Sequence, residues 1–321
     1  MKRIITNGIF TIVAISGILQ LFLLPGLVWN FAFPFLQIIL LLFSLKVLSK
    51  NKYLKNCALL IAIIFLTDIG FAIYSNFNTK SSGADKEIKV MTYNLFFKNN
   101  RPNQSIAIIK NANPDVIFVQ ELTPKWTSEI DKTIGGTYKY KLIKPLRGTH
   151  GIGIYSKYKI NNQEFLNNSS NKPYAQIVDL TIEDKTIQLI NTHLASPAIA
   201  VENKDKFFSL FASNYQLRKK QIKELNNLAS SEGKKYDCQL LVGDLNTLYS
   251  EPIFKRLKFR WTNSSNGLFR WMEFNFPNSS RIKPFVTLDY IMGKGKMKFL
   301  ETKVIKGGSS DHLAIMSKIE I

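Results

Sequence analysis

An uncharged run of 42 residues constrains this chain more than any other feature. No Asp, Glu, Lys, Arg or His occurs from position 4 to position 45. A helix needs about 20 apolar residues to cross the hydrocarbon core of a bilayer, so the run is long enough for two transmembrane helices. Pro25 and Pro34 lie near its middle, where they favour a short loop between the two spans. A third span is predicted over about residues 57–76, in which Asp68 is the one charged residue.

We therefore predict three parts: a membrane anchor over residues 1–77 with transmembrane helices at about 5–24, 30–48 and 57–76, a linker over 78–86, and a separate domain over 87–321. A cleaved signal peptide is the alternative for the first span, but no small-residue cleavage site precedes Pro25. A transporter is disfavoured because the single intramembrane acid, Asp68, has no second charge to exchange with.

The basic residues beside the spans predict the orientation of the anchor. Lys and Arg near span ends stay on the cytoplasmic side. Two basic residues precede the first span and four lysines lie between the second and third, namely Lys2, Arg3, Lys46, Lys50, Lys52 and Lys55. Three spans then place the domain on the extracytoplasmic face of the cell membrane or inner membrane. Cys57 and Cys238 fall in different parts of the chain, so no disulfide is expected.

The domain is strongly basic. The whole chain has 43 Lys and Arg against 23 Asp and Glu, a formal charge of +20. About +15 of this belongs to the domain, which favours a polyanionic partner such as nucleic acid or phospholipid headgroups. An AT-rich genome would also enrich Lys, Asn and Ile. The charge alone therefore leaves the partner open, and no protein partner is inferred.

Short β-rich runs alternate with helical runs in the domain, which predicts an α/β fold. Strands are predicted over Glu87 to Asn94, Val116 to Gln120, Ile152 to Tyr155, Gln176 to Ile182, Thr186 to Leu194, Gln239 to Val242, Val286 to Met292 and Leu313 to Ile321. Helices are predicted over Gln104 to Asn111 and Asp205 to Leu228. In the second helix we predict a buried face of Phe208, Phe211, Tyr215, Ile222 and Leu225, opposite Arg218, Lys219, Lys220 and Lys223.

Polar residues recur where the predicted strands end. The tetrapeptide Gly243 to Asn246 follows an apolar run and supplies a carboxylate and an amide two residues apart. Such a pair is common in turns, but similar groups stand at Asn94, Gln120–Glu121, Thr192–His193, Asp289 and Ser310–Asp311–His312. Two of the three histidines in the chain occur in this set. The repetition predicts an active site.

The residue types in this set suit metal-assisted hydrolysis of a phosphate ester. Glu121 offers a hard oxygen ligand for Mg²⁺ or Mn²⁺, and the scarcity of His and Cys argues against a tetrahedral zinc site. Asp244 can orient and deprotonate water, while cationic His193 and His312 can stabilise negative charge or protonate a leaving group. The sequence contains no nucleophile elbow and no Gly-rich phosphate loop.

Seven sequence blocks resemble those of the endonuclease/exonuclease/phosphatase superfamily, which includes deoxyribonuclease I, abasic-site endonucleases, neutral sphingomyelinases and inositol polyphosphate phosphatases. In chain order they are Val90 to Asn94, Pro114 to Val116 leading to Gln120-Glu121, Gly151 to Ser156, Asn191 to Leu194, Gly243 to Asn246, Leu288 to Ile291 and Ser310 to His312. The resemblance covers residues 87 to 321 and implies a four-layer sandwich of two packed β-sheets flanked by helices. The predicted transmembrane helices are not part of the family pattern.

The resemblance also implies roles for individual residues. Asn94, Glu121 and Asp311 would form the metal side of the site. The catalytic residues would be His193 at the scissile phosphate, Asp244 at the attacking water, Asn246 at a phosphate oxygen, and His312 as the second histidine. Asp289 would support one of the two histidines, and the sequence leaves open which one.

We expect a membrane-anchored, Mg²⁺- or Mn²⁺-dependent phosphodiester hydrolase that acts as a nuclease. A phospholipid or sphingomyelin phosphodiesterase, or a phosphatase, is the alternative. A non-catalytic membrane-tethered module is disfavoured because the expected catalytic residues are present. The aromatic stretch from Phe259 to Phe285 could contact bases or lipid, or could pack as core, and His150 is interpreted as a loop residue near the site.

Overall fold

The computed structural model describes residues 86–197, 204–231, 235–249, 251–258, 260–265, 274–279 and 281–321. The predicted anchor, with its three spans, and all but the last residue of the predicted linker lie outside these ranges. None of the helices in the described part has the length and hydropathy needed to cross a membrane.

The described elements alternate between strands and helices. The strands are β1 (Glu87–Asn94), β2 (Val116–Gln120), β3 (Tyr140–Lys144), β4 (Ile152–Ser156), β5 (Ile160–Asn167), β6 (Pro173–Ile182), β7 (Lys185–His193), β8 (Cys238–Asp244), β9 (Thr262–Asn263), β10 (Asp289–Gly295), β11 (Lys298–Ile305) and β12 (Ala314–Glu320). The helices are α1 (Pro102–Ala112), α2 (Pro124–Ile134), α3 (Phe207–Ser231) and α4 (Pro252–Lys258), with a 3₁₀ turn at Lys204–Lys206.

These strands form two six-stranded mixed sheets. Sheet 1 has the order β11-β12-β1-β2-β4-β3, and sheet 2 has the order β5-β6-β7-β8-β10-β9. Each sheet contains one parallel pair at its centre, β1 with β2 and β7 with β8. The paired ends of these strands place Asn94 beside Gln120 and His193 beside Asp244. The carboxyl ends of both parallel pairs therefore carry polar side chains.

Three apolar layers hold the fold together. The sheets pack face to face through residues such as Val90, Phe118, Leu189 and Leu240, each with no exposed surface. Helices α3 and α4 cover the outer face of sheet 2, and α1 and α2 cover that of sheet 1. The predicted arrangement of two packed sheets flanked by helices is confirmed.

A polar network joins the two sheets beneath the predicted site. Asn191 of β7 is fully buried, and its amide nitrogen donates to the backbone oxygens of Val119 and Gly153 at 3.1 and 3.0 Å. Its amide oxygen accepts from Gln120 of β2 at 2.8 Å. Because buried polar groups are costly unless they are bonded, this network favours one register between the sheets.

Helix α3 differs from its prediction at two positions. Phe208, expected on the buried face, is 85% exposed, because helical spacing identifies a face but not how far along the helix the packing continues. Arg218, expected on the exposed face, is only 1% exposed. Its guanidinium contacts Asn246 and Glu251, which are distant in the chain, and helical periodicity cannot reveal such partners. The strand predicted from Val286 begins at Asp289, because Val286 instead forms an isolated bridge with Phe276.

Candidate active site

The structure brings all eight predicted site residues to one edge of the two packed sheets. Sheet 1 supplies Asn94 at the end of β1, Glu121 directly after β2, and Asp311 and His312 directly before β12. Sheet 2 supplies His193 at the end of β7, Asp244 at the end of β8 with Asn246 two residues later, and Asp289 at the start of β10. The site therefore lies across the seam between the sheets.

Glu121 and Asn94 form one side of the site. Glu121 has a φ of +57°, a left-handed conformation that is uncommon for a residue with a side chain. One of its carboxylate oxygens, Oε2, accepts from the Phe97 backbone nitrogen at 2.9 Å, and the other, Oε1, lies 3.3 Å from Asn94 Nδ2. Burial raises the pKa of the neighbouring Asp311; the charge of His312 opposes this shift and that of Glu121 adds to it. Two carboxylates thus share a partly buried region, where a cation would be stabilised.

Asp244 lies at the centre of the site. Its Oδ2 accepts from Asn94 Nδ2 at 3.1 Å and lies 3.6 Å from His193 Nε2 and 3.9 Å from His312 Nε2. Burial, followed by the charge of Asp289, raises the pKa of Asp244 to about 6, although both histidines oppose the shift. A carboxylate with a raised pKa is a stronger base than an ordinary one.

The two histidines are held by different acceptors. His312 Nδ1 lies 2.6 Å from Asp289 Oδ2, whereas His193 Nδ1 lies 3.0 Å from the backbone oxygen of Thr149. A carbonyl oxygen can only accept, so His193 Nδ1 carries a proton and Nε2 faces Asp244. The question that the sequence left open is answered by this geometry, since Asp289 contacts His312.

The surroundings of His312 favour its charged form. Burial alone would lower its pKa, but the charge and hydrogen bond of Asp289, with the charge of Asp244, outweigh burial and raise the pKa to about 10. His312 is thus an imidazolium at neutral pH in the metal-free protein. Its Nε2 lies near the same Asp244 oxygen, Oδ2, as His193 Nε2.

We expect the metal-free protein to lose stability as the pH becomes alkaline, because His312 loses its proton there. Its folded pKa of about 10 exceeds the ordinary value of 6.5, so its contribution is complete below about pH 6.5 and is lost as the pH rises through 10. In excess chelator, Tm should therefore fall from pH 7 to pH 10 more steeply in the wild type than in His312→Gln. His150→Gln is the control, because the pKa of His150 is lowered and its titration is complete below this range. Parallel Tm profiles for wild type and His312→Gln would contradict the assignment.

One group of His and acidic side chains among the described residues has the spacing of a metal site. Ligand atoms of Asp244, Asp289 and His312 all lie within 4.8 Å of one another. However, Asp289 Oδ2 already binds His312 Nδ1 and accepts from the Asn275 amide. These contacts of Asp289 fit the group for proton handling at His312.

Sequence reasoning missed Asn275, which is fully buried and supports Asp289. Its amide nitrogen donates to Asp289 Oδ2, and its amide oxygen accepts from the Leu288 backbone nitrogen at 3.0 Å. The next residue, Phe276, packs its ring 4.7 Å from the His312 ring. Asn275 lies in the aromatic stretch and not at the end of a predicted strand, so the pattern that revealed the other residues could not reveal it.

The rest of the aromatic stretch is only partly described. Trp261 is buried and donates from Nε1 to Asn226 at 3.0 Å, which places it in the core. Phe269, Trp271 and Met272 lie outside the described residues. His150 lies half-buried in the loop between β3 and β4, next to Thr149, where burial and then Lys172 and His193 lower its pKa. This position agrees with the prediction of a loop residue near the site.

Comparison with known proteins gives one family and one fold. The model of the Endonuclease/Exonuclease/phosphatase family matches residues 91–312. Truncated Caenorhabditis elegans TDP2 superposes with a TM-score of 0.57 at 18% identity, covering 73% of this chain and 98% of that one. D. rerio TDP2 complexed with single strand DNA product gives a TM-score of 0.59 at 16% identity, with 74% and 100% covered. The endonuclease/exonuclease/phosphatase from Beutenbergia cavernae gives 0.54 at 14% identity, with 74% and 72% covered. No curated protein sequence matches the chain.

Proposed function

Because the chain belongs to the endonuclease/exonuclease/phosphatase family, whose members hydrolyse phosphoester bonds, we propose that its 87–321 domain is a divalent-metal-dependent phosphodiester hydrolase. One observation carries this proposal. The buried carboxylate of Asp244 lies between two imidazoles, 3.6 Å from His193 Nε2 and 3.9 Å from His312 Nε2. A base flanked by two groups that can be cationic is suited to direct water at an anionic phosphorus centre.

In the proposed reaction Asp244 orients the attacking water and accepts its proton. The raised pKa of Asp244 favours this transfer at neutral pH. His193 and His312 present Nε2 to the phosphate and stabilise the charge that develops on its oxygens. Asp289 holds the His312 ring through Nδ1 at 2.6 Å, and the Thr149 backbone oxygen holds His193 in the same way at 3.0 Å.

Asn246 is proposed to donate to a phosphate oxygen. One of its two amide hydrogens is used by the Leu194 backbone oxygen at 3.0 Å, which leaves the other for the substrate. Its backbone nitrogen donates to Asp244 Oδ1 at 2.8 Å, so the turn that positions Asn246 also fixes the rotamer of the base.

We propose that Mg²⁺ or Mn²⁺ is held by Glu121 and Asn94, with Asp311 nearby. The carboxylate of Glu121 supports this, since it is a hard oxygen ligand whose charge raises the pKa of the neighbouring Asp311, and a cation would relieve this repulsion. A bound cation would supply Lewis-acid stabilisation of the phosphate charge. Asn94 Nδ2 donates to both Glu121 and Asp244, and its Oδ1 accepts from the Phe96 backbone nitrogen at 3.0 Å.

The loops at the site edge favour a nucleic acid substrate. Five of them carry exposed basic residues, namely Lys98, Arg101, Arg147, Lys172, Arg281, Lys283 and Lys306. Asp311 is the only acid in these loops, which span residues 95–101, 145–151, 168–172, 281–288 and 306–313. A positive rim of this kind can contact several phosphates of one polyanion. The D. rerio TDP2 complex with single strand DNA product is a neighbour with the same fold.

If nucleic acid is the substrate, KM should rise steeply with salt. Contact with three or four phosphates predicts a rise of about 20- to 150-fold between 50 and 200 mM salt. Arg147→Glu with Lys172→Glu should raise KM and flatten the salt dependence. Lys159→Glu with Lys298→Glu, at the opposite edge of the sheets, is the matched control and should change neither. Equal effects of the two pairs would contradict a role for the rim.

A phospholipid or sphingomyelin headgroup is the second candidate substrate. The predicted transmembrane spans favour it, because they would hold the domain at a bilayer surface. A side-by-side turnover assay distinguishes the two candidate substrates. It compares single- and double-stranded DNA, RNA, and phospholipid or sphingomyelin vesicles. Hydrolysis of vesicles without cleavage of nucleic acid at low salt would replace the first proposal by the second.

We further propose that residues 1–77 anchor the chain in the cell membrane or inner membrane with the domain on the extracytoplasmic side. Protease added to intact spheroplasts should then digest the domain, because the basic flanks of the predicted spans remain inside. Protection of the domain until detergent is added would reverse the orientation. Recovery of the full chain in the soluble fraction would reject the anchor.

A further inference from the structure

Helix α3 buries a charged side chain that none of the proposed chemical steps uses. Arg218 is 1% exposed, and its guanidinium donates to the backbone oxygen of Asn246. The same guanidinium lies 3.5 Å from the carboxylate of Glu251, which is 2% exposed. Arg218 Nε finds no acceptor among the described residues. A long cationic side chain is thus held in the interior by two partners from the loop after β8.

Stability does not readily explain this ion pair. Removing two charges from water costs several kcal/mol per ion, and apolar replacements of buried pairs are often neutral or stabilising. Burial also raises the pKa of Glu251, although the charge of Arg218 opposes this. The location of the pair is more informative than its energy, because one of its bonds ends on a residue of the candidate active site.

Arg218 binds a residue whose backbone forms a left-handed turn. Asn246 has a φ of +47°, in the left-handed region, which asparagine adopts more readily than most residues with a side chain. Glu251 reaches into the same turn, since its Oε1 accepts from the Leu248 backbone nitrogen at 3.1 Å. The pair therefore bridges the turn from Asn246 to Glu251 and restricts movement of the Asn246 backbone.

Helix α3 holds the neighbouring loop in a similar way. Gln221, three residues after Arg218, accepts from the Ala195 backbone nitrogen at 3.1 Å. Ala195 follows Leu194, whose backbone oxygen accepts from the Asn246 amide at 3.0 Å. One helix thus fixes both ends of the hydrogen bond that orients the Asn246 side chain.

From these contacts we infer that Arg218 and Glu251 are positioning residues that hold Asn246 in the left-handed turn required for its contact with the phosphate. The inference rests on the proposed function, because it takes the role of Asn246 from there. Arg218 is taken to act on the reaction through the side-chain amide of Asn246, whose backbone oxygen it binds. Its effect should therefore disappear when the Asn246 amide is absent.

A double-mutant cycle tests this dependence. Arg218→Met should lower kcat by about 10- to 100-fold with little change in KM, because the misplaced amide stabilises the transition state less. In the Asn246→Ala background the same substitution should lower kcat by less than about 3-fold. If the loss of kcat in the double mutant equals the product of the losses in the two single mutants, the inference is overturned and Arg218 is a structural residue.

Two further variants separate the possible failures. Asn226→Leu removes another buried polar side chain of α3, one that binds Trp261 and the Arg256 backbone oxygen, and it should lower Tm without changing kcat. Full activity of Asn246→Ala would reject the proposed role of Asn246 in the reaction. If Asn246→Ala instead loses activity while Arg218→Met stays fully active, only the positioning role of Arg218 is rejected. If Arg218→Met does not fold, R218M/E251M removes both buried charges, and the same comparison with Asn246→Ala applies.

Discussion

Replacing Asp244 with Asn should lower kcat for phosphodiester hydrolysis by about 10²- to 10⁴-fold. General base catalysis contributes about 10² to 10⁴ in rate, and an amide cannot accept the proton of water. The loss should appear in kcat and in kcat/KM alike, because Asp244 acts on the attacking water and not on substrate binding. Steady-state kinetics on a generic phosphodiester with saturating Mg²⁺ gives this measurement.

Asp179→Asn is the matched control for this experiment. Asp179 is also a buried aspartate, in β6, where it accepts from Tyr236 at 3.0 Å. Asp179 lies away from the site, because its partner on β7 is Gln188, five residues before His193. The control should lower Tm and keep kcat. A folded Asp244→Asn protein with ordinary turnover would show that another group activates the water.

Chelation of divalent cations should abolish activity, and Mg²⁺ or Mn²⁺ should restore it. Glu121→Gln should lower kcat by about 10² or more and raise the Mg²⁺ concentration for half-maximal activity at least about 10-fold. The reason is that the amide keeps the size of the side chain but loses the charge that holds the cation. Thermal unfolding provides a second measurement, because a cation that binds only the folded state raises Tm. Mg²⁺ should raise Tm in the wild type and not in Glu121→Gln.

Glu129→Gln on α2 serves as the control for the loss of one carboxylate. Glu129 is half-buried like Glu121. It lies within helix α2, where Thr133 donates to its backbone oxygen, and not at the edge of the sheets that carries the site. Its response to Mg²⁺ should equal that of the wild type. Full activity of the wild type in excess chelator would reject the metal assignment and leave the roles of Asp244 and the histidines to be tested separately.

Local pattern was enough to predict which residues gather at the site. Asn94, Glu121, Asp244 and His312 each stand next to an apolar run, and a strand that ends in a polar residue delivers that residue to a sheet edge. The pairing of Asp289 with His312 could not be read from the sequence, because Asp289 lies in one sheet and the loop carrying His312 leads into the other. Which histidine it meets depends on how the sheets pack.

Long-range partners account for the other failures. Arg218 has the spacing of a solvent-facing residue, and only the distant Asn246 and Glu251 make its burial possible. Asn275 is one Asn among many in the chain, and its support of Asp289 depends on an irregular segment that follows no periodicity. The elements that were missed, such as β3 and β5, carry exposed or half-exposed residues, so they lack the apolar alternation by which strands are recognised.

Division of the site between two sheets makes catalysis depend on the packing of one sheet on the other. Sheet 1 alone would carry the metal side and His312, and sheet 2 alone would carry the base, His193 and the partner of His312. Neither half could turn over substrate, even with all of its own strands paired. The buried amide of Asn191 is bonded across the seam to Gln120, a contact that forms only when the two halves are in register. The return of turnover during refolding should therefore report the docking of one sheet on the other, a step that measurements of secondary structure alone would miss.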